Sequence, residues 1–446
     1  QYMPTKGAAL AVIARLRLYS ASPLFNGNTL YSDWKRTDGT PFISQVADPQ
    51  RWGKAAAAYK RIIDMGKYAL YTEPKIGNDR GVGTLELPAP YDNSLVDPRN
   101  GSFPMGSADI DPYKSYKSIF DGSITPEKNP ELIYFCNDAD VNNRFSTPSK
   151  QGGNSTLSVT KDMADQFSMA NGKPFSEATD EEKSWQAVGT GLTFSGDYVL
   201  TAERARMDDN REPRYYASIG FNHCFWPGTA YSGSTAGVVN FNATYYKDGN
   251  ARGDDFSYNR TGYTVRKYVH QEDARLYGVV NKRKYYPIIR YAEVLLGYVE
   301  AMNEMTSSYT DEKTGITVQR NVAEMVQYFN QIRFRAGLPG ITAAQASDYE
   351  TMKKLIKHEW MIEFFFEDHR YYDLRRWLDA PEAMSKPVTG LNVTAKAAER
   401  EDFYTTKIWN TETAMKRVWK NKMYFYPIDQ NVLDKNGRLV QNPGWN

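Results

Sequence analysis

The sequence is poor in the residues on which many metal proteins and secreted scaffolds depend. Its 446 residues include 2 cysteines and 4 histidines. Cys136 and Cys224 stand far apart with no C-x-x-C spacing, so neither a zinc ribbon nor a disulfide framework is signalled, and their pairing with each other is left open. Long apolar runs are missing too: no stretch of about 18 apolar residues offers a helix that could span a bilayer. An excess of one charge is also lacking. With 55 basic and 53 acidic residues, the formal net charge of +2 gives no general attraction to nucleic acid or to an anionic surface. Any partner has to be recognised locally.

The common catalytic signatures are absent as well: G-x-S-x-G, the phosphate loop G-x-x-x-x-G-K-[ST], and a dinucleotide G-x-G-x-x-G following a strand. The pair His358-Glu359 begins an H-E-x-x-H zinc motif, but position 362 is Ile362, so no second imidazole follows one turn later.

What the sequence has in excess is aromatic residues, 14 % in all, with 32 tyrosines and 9 tryptophans. Such rings combine a flat apolar face with a polar handle and suit surfaces that bind amphipathic ligands.

The chain divides by periodicity. Lys6 to Ser22 and Trp52 to Tyr68 read as two Ala-rich helices, a hairpin with an insertion between its arms, within residues 1–75. Residues 76–280 are rich in Gly, Pro, Asn, Asp and Ser, with only short apolar runs, and form an irregular region suited to ligand loops. Helices resume over 281–380, at 285–304, 321–338 and 351–378. Helix pairs of this kind resemble the tetratricopeptide unit, which needs stacked neighbours. Residues 381–446 are loop-rich. The expected fold is therefore mainly α, with tetratricopeptide-like hairpins as a scaffold and a long irregular region bearing the ligand site, all within a single domain. The start Gln1-Tyr2-Met3-Pro4 enters a helical pattern at once, from which we expect the chain to be the later part of a longer precursor.

Residues 358–377, HEWMIEFFFEDHRYYDLRRW, contain the residue types of an active site. Glu359, Glu363 and Glu367 at i, i+4 and i+8 would share one face of a helix, whereas the carboxylates of a glycosidase flank the scissile bond from opposite sides. The expectation is an ion-pair lattice between helices, with Arg370, Arg375 and Arg376 on the same helix and Arg333 and Arg335 on the preceding one as candidate cations.

Recognition chemistry is expected at FNHCFWPGTAYSG (221–233) and NFNATYYKDG (240–249). Trp226, Tyr231, Tyr245 and Tyr246 are the stacking candidates, with Asn222 and Asn242 as hydrogen-bonding partners. A Pro227-Gly228 turn favours exposure of Trp226 and Tyr231. The other reading makes these rings anchors of a small core beneath the loops. Asp138, Asp140 and Asn142 have calcium-loop spacing, but Asn143 stands where such a loop needs Gly and Ser149 where it needs Glu. They are weak calcium candidates, and no cofactor is otherwise indicated.

Six segments together resemble the SusD/RagB family: GAALAVIARLRLYSASPLFNG (7–27), NREPRYYASI (210–219), YYPIIRYAEVLLGYVEAMNE with NQIRFRAGLP, the stretch from His358 to Trp377, and YFYPIDQNVLDKNGRLVQNPGW. They run in the family's order from end to end. The resemblance implies a non-catalytic, outward-facing outer-membrane lipoprotein that binds oligosaccharides, or in some branches oligopeptides. It would sit as a lid on a SusC-like TonB-dependent barrel, with a lipid anchor supplied by an N-terminal region that this sequence does not contain. It assigns residues 358–377 to scaffold and docking. A glycoside hydrolase using the three glutamates and a pure tetratricopeptide adaptor are the rival classes. The first is opposed by the one-sided carboxylates, the second by the long irregular middle.

Overall fold

Thr5 opens the first helix, Lys6–Ala21, its Oγ1 accepting a hydrogen bond from Ala8 N at 3.1 Å and satisfying an amide that the first turn leaves unpaired. The structure, a computed structural model, describes residues 5–76, 96–136, 143–196, 198–226, 241–273, 282–409 and 416–445. The first helix buries its small-residue face, Ala8, Ala11, Ala14 and Leu18, and leaves Ile13 and Leu16 exposed. The second, Gln50–Ile63, answers with Ala55, Ala56, Ala57 and Ala58. Two faces without bulky side chains permit close approach, and Tyr59 and Ile62 then reach the next layer.

That layer is the helix Tyr291–Asn303, every residue of which is buried. Gly297 faces Tyr59 so closely that a Cβ would lie 2.4 Å from the ring, so this contact requires glycine. The two acids of this helix are not left bare: Arg15 reaches Glu293 at 2.5 Å and Arg376 reaches Glu300 at 2.5 Å.

Two expected helices differ in the structure. The one expected from residue 285 starts at Tyr291. Tyr286–Arg290 instead forms a strand antiparallel to Leu132–Cys136, because Pro287 disfavours helical backbone at Tyr286 and the Ile-rich run suits a pleated surface. The helix expected over 351–378 is broken into Tyr349–Glu363 and His369–Arg376, with Phe366 and Asp368 at φ +58° and +65°. Tertiary donors occupy carbonyls at the break. Tyr116 Oη and Arg290 Nη2 both donate to Glu363 O at 2.8 Å, and Lys267 Nζ donates to Phe365 O at 2.7 Å. Carbonyls satisfied in this way need no continuing helix.

The helical scaffold has one core, around Trp52, Tyr59, Leu295, Phe329 and Trp360. The irregular region has another, far richer in rings, including Tyr116, Phe194, Tyr198, Tyr215, Trp226 and Tyr263. Within that region run the helix Pro112–Asp121, capped by Asp111 and stopped at Gly122 with φ +88°, and the short helix Pro213–Ser218. Strands occur among the described residues only as two-stranded antiparallel pairs. Cys136 and Cys224 are free thiols, the first exposed and the second buried. The fold is mainly α: a scaffold of helical hairpins with a long irregular region set against it.

Candidate ligand-binding site

A cavity of about 390 Å³ opens in the irregular region, within the size range of small-ligand sites. The helix Pro112–Asp121 supplies Tyr113, Lys114, Lys117 and Asp121, positions that recur on one helical face. The hairpin Leu192–Ser195 and Tyr198–Leu200 adds Ser195 and Tyr198, the strand Cys224–Trp226 adds Trp226, and Arg266 follows the strand Thr264–Val265. The Tyr113 and Tyr198 rings stack with centroids 5.1 Å apart and planes 5° from parallel. The Arg266 guanidinium lies 4.1 Å from the Tyr198 ring centroid and 5.5 Å from that of Trp226. Lys117 Nζ donates to Val269 O at 2.6 Å and pairs with Asp121 at 3.4 Å. Burial lowers its pKa to about 8 against the pull of Asp121. Burial also lowers His270, on the same wall. The result is an aromatic wall beside a polar rim, the combination of apolar faces and placed polar groups that suits a small-molecule site.

The residues proposed from sequence have distinct positions. Trp226 lines this cavity but is 1 % exposed, which corrects the expected solvent exposure. Its strand pairs with Phe241–Ala243, and it packs into the aromatic core with Tyr245 and Tyr246. Asn222 is buried and fully engaged, its Nδ2 donating to Tyr404 Oη at 3.1 Å and its Oδ1 accepting from Tyr245 N at 2.9 Å. Tyr246 Oη is 3.0 Å from His223 Nε2. Asn242 is exposed, opposite Phe225 in the strand pair. Tyr231 and the calcium candidates Asp138, Asp140 and Asn142 lie outside the described residues, among which no group of three His, Cys, Asp or Glu could hold a metal. Sequence reasoning missed Tyr113, Tyr198 and Arg266, which come together only through the fold.

The glutamates of residues 358–377 form the expected ion-pair lattice: Arg333 and Arg335 take part as expected, and Arg290, Arg214 and Lys267 join them in place of Arg375 and Arg376. Arg290 pairs with Glu131 and Glu363, each at 2.6 Å, and with Glu367 at 2.8 Å. Arg214 pairs with Glu212 at 2.8 Å, Glu359 at 2.5 Å and Glu363 at 2.9 Å. Arg335 joins Glu131 and Glu363, Arg333 joins Glu359, and Lys267 reaches Glu367 at 2.7 Å. The helix break removes Glu367 from the face of Glu359 and Glu363. Arg376 turns instead to Glu300 and Asp373, and Arg375 stacks on Tyr371. Burial alone would raise the Glu363 carboxyl, but Arg335, Arg290 and Arg214 hold it far below the carboxylate range. A glutamate fixed in its ionised form by three arginines can neither donate a proton nor approach a substrate.

A wider cleft of about 850 Å³ runs between Arg333, Lys354 and His358 on the scaffold side and Asp162, Phe175 and Tyr404 opposite. It has fewer rings than the first cavity, which is why the first is the better candidate for stacking a ligand.

The architecture is a helical scaffold carrying an aromatic-walled cavity in its irregular part, with its most catalytic-looking helix consumed by internal ion pairs. A family model, the SusD family, matches residues 120–445, and the chain belongs to that family, whose members are known as binding proteins. Among solved structures it is similar to BT4246, in selenomethionine form, with a TM-score of 0.75 and 23 % identity over 99 % of this chain and 73 % of that one. It is also similar to a SusD-like protein from Bacteroides fragilis, with TM-score 0.59 and 24 % identity over 99 % of this chain and 65 % of that chain. A third, a SusD-like carbohydrate binding protein from the same organism, gives TM-score 0.57 and 20 % identity over 98 % and 64 %. The chain thus spans about two thirds to three quarters of the length of these proteins. No curated protein sequence matches it.

Proposed function

We propose that the protein captures oligosaccharides at the cell surface without transforming them, for import through a SusC-like TonB-dependent transporter. The observation that carries this reading is the aromatic wall of the cavity, where Tyr113, Tyr198 and Trp226 meet a rim of Lys114, Lys117, Asp121 and Ser195. Sugars present CH-rich faces to rings and hydroxyls to polar groups. Membership of the SusD family supports it. So does the description of one solved neighbour as a carbohydrate binding protein. In this reading Trp226 closes the wall from within the core, Tyr245, Tyr246 and Asn222 hold it in place, and Asn242 belongs to the adjoining surface. The protein faces outward from the outer membrane on a lipid anchor, beside its transporter barrel, and needs no cofactor. No helix among the described residues is long and apolar enough to cross a membrane.

Calorimetry on hits from a glycan array tests the reading, with a peptide library run in parallel. Saturable glycan binding without turnover is the expected result. Binding confined to peptides would replace it with oligopeptide capture, and hydrolysis of a bound glycan would overturn the non-catalytic assignment.

A further inference from the structure

Buried cations in this protein are matched, with one exception among the described residues. Arg214, Arg290, Arg335, Arg376, Lys267 and Lys284 each face at least one carboxylate, as do Arg204 and Lys117. Arg211 has no ion pair but donates to the carbonyl oxygens of Met207, Ala164 and Phe167 at 2.8–2.9 Å. Arg266 has neither arrangement. It is 2 % exposed, and no carboxylate of the described residues lies within ion-pair distance of it. Its Nη1 reaches Tyr216 O only at 3.4 Å, the Tyr198 side chain is its other polar neighbour, and the ring faces of Tyr198 and Trp226 and the cavity it lines lie around it. Beside it, the Tyr198 hydroxyl is buried without a well-formed hydrogen bond.

A buried guanidinium is costly unless an anion or a set of acceptors answers it. Stacking on rings offsets part of that cost, but it uses the faces of the guanidinium and leaves its N–H edge to be satisfied. That edge is a planar fork that fits the two oxygens of a carboxylate. The anions already on the rim are engaged elsewhere: Asp121 by Lys117, and Glu73 by the Tyr71 hydroxyl. We propose that Arg266 is the receptor for a carboxylate on the ligand, with Tyr198 Oη as second donor, so that the captured oligosaccharide is an acidic one bearing uronic- or sialic-type sugars. This rests on the glycan reading above.

The test is an array of acidic glycans beside their carboxyl-reduced counterparts, probed with the wild-type protein and R266Q, with calorimetry on the best pair. The acidic form is expected to bind at least about tenfold more tightly than the reduced form, as the loss of a charged hydrogen-bond partner implies. R266Q is expected to abolish that difference at an unchanged melting temperature. Should R266Q fail to fold, the wild-type comparison of the two ligand forms decides alone. Equal binding of the acidic and reduced forms would overturn the carboxylate assignment and leave glycan capture standing. Binding of free-acid peptides alone, lost on amidation, would keep the receptor and overturn the glycan reading.

Discussion

Arg290 Nη1 lies 2.6 Å from Glu131 Oε1, although 159 positions separate the two residues. The contact ties the strand beginning at Leu132 to the one ending at Arg290, and through Glu363 it ties both to the helix Tyr349–Glu363. Lys267 and Arg214 bring the irregular region into the same lattice. The lattice therefore holds the irregular region and its cavity against the scaffold: Lys267 is adjacent to Arg266 in the cavity wall, and Tyr116, which also touches Lys267, shares a helix with Tyr113.

Glu363→Gln is expected to destabilise the protein by about 3–5 kcal/mol, because it leaves Arg214, Arg290 and Arg335 buried without their shared counter-charge. Glu382→Gln is the control. Its partner Lys386 is 3.4 Å away and both side chains are largely exposed, so the change is expected to stay within about 0.5 kcal/mol. Urea unfolding of the two variants checks this. Equal midpoints would show that the lattice contributes nothing particular to the fold.

Stability is expected to fall as the pH drops below neutrality, and His369 is one cause. Burial lowers its pKa from 6.5 to about 3, against the opposing pull of Glu293. The unfolded chain takes up this proton below about pH 6.5 while the folded protein refuses it until about pH 3. The stabilisation is thus full above 6.5 and is lost progressively through that window. His223, lowered to about 4 by burial and Arg400, acts in the same direction. His369→Phe keeps a ring against Phe364, whose centroid is 4.3 Å from that of the imidazole, and removes the titration. Its melting temperature is expected to vary less between pH 6.5 and 3 than that of the wild type, and identical pH profiles would refute the assignment.

Local chemistry made the alanine faces of the first two helices and the ionic character of residues 358–377 legible in the sequence. What it could not supply were pairings across long separations. Arg333 and Arg335 lie on the preceding helix and so within reach of local reasoning, whereas Arg290, Arg214 and Lys267 stand 73 to 149 positions from the glutamates of residues 358–377 that they meet. The break after Glu363 was hidden for the same reason, since the donors that satisfy its carbonyls come from Tyr116, Arg290 and Lys267. At the cavity, Trp226 was visible as a ring beside a turn, but its burial follows from the pairing of its strand with Phe241–Ala243. Arg266 carries no motif at all, and its significance is a missing partner, which only packing can reveal.

The burial of Trp226 changes how the candidate site has to be probed. Trp226→Ala would empty a fully buried position at a cost of about 3–5 kcal/mol, so lost binding would not separate recognition from folding. Ile76 offers a cleaner test, because it lines the same cavity while 68 % exposed. Ile76→Asp is expected to leave the melting temperature unchanged, since exposed substitutions of this kind stay within about 0.5 kcal/mol. It places a negative charge at the mouth that Arg266 faces from within, and it should weaken an acidic glycan more than a neutral one. Calorimetry with one ligand of each kind reads the difference. If neither affinity moves, ligand enters elsewhere, and the cleft between Arg333, His358 and Tyr404 becomes the site to examine.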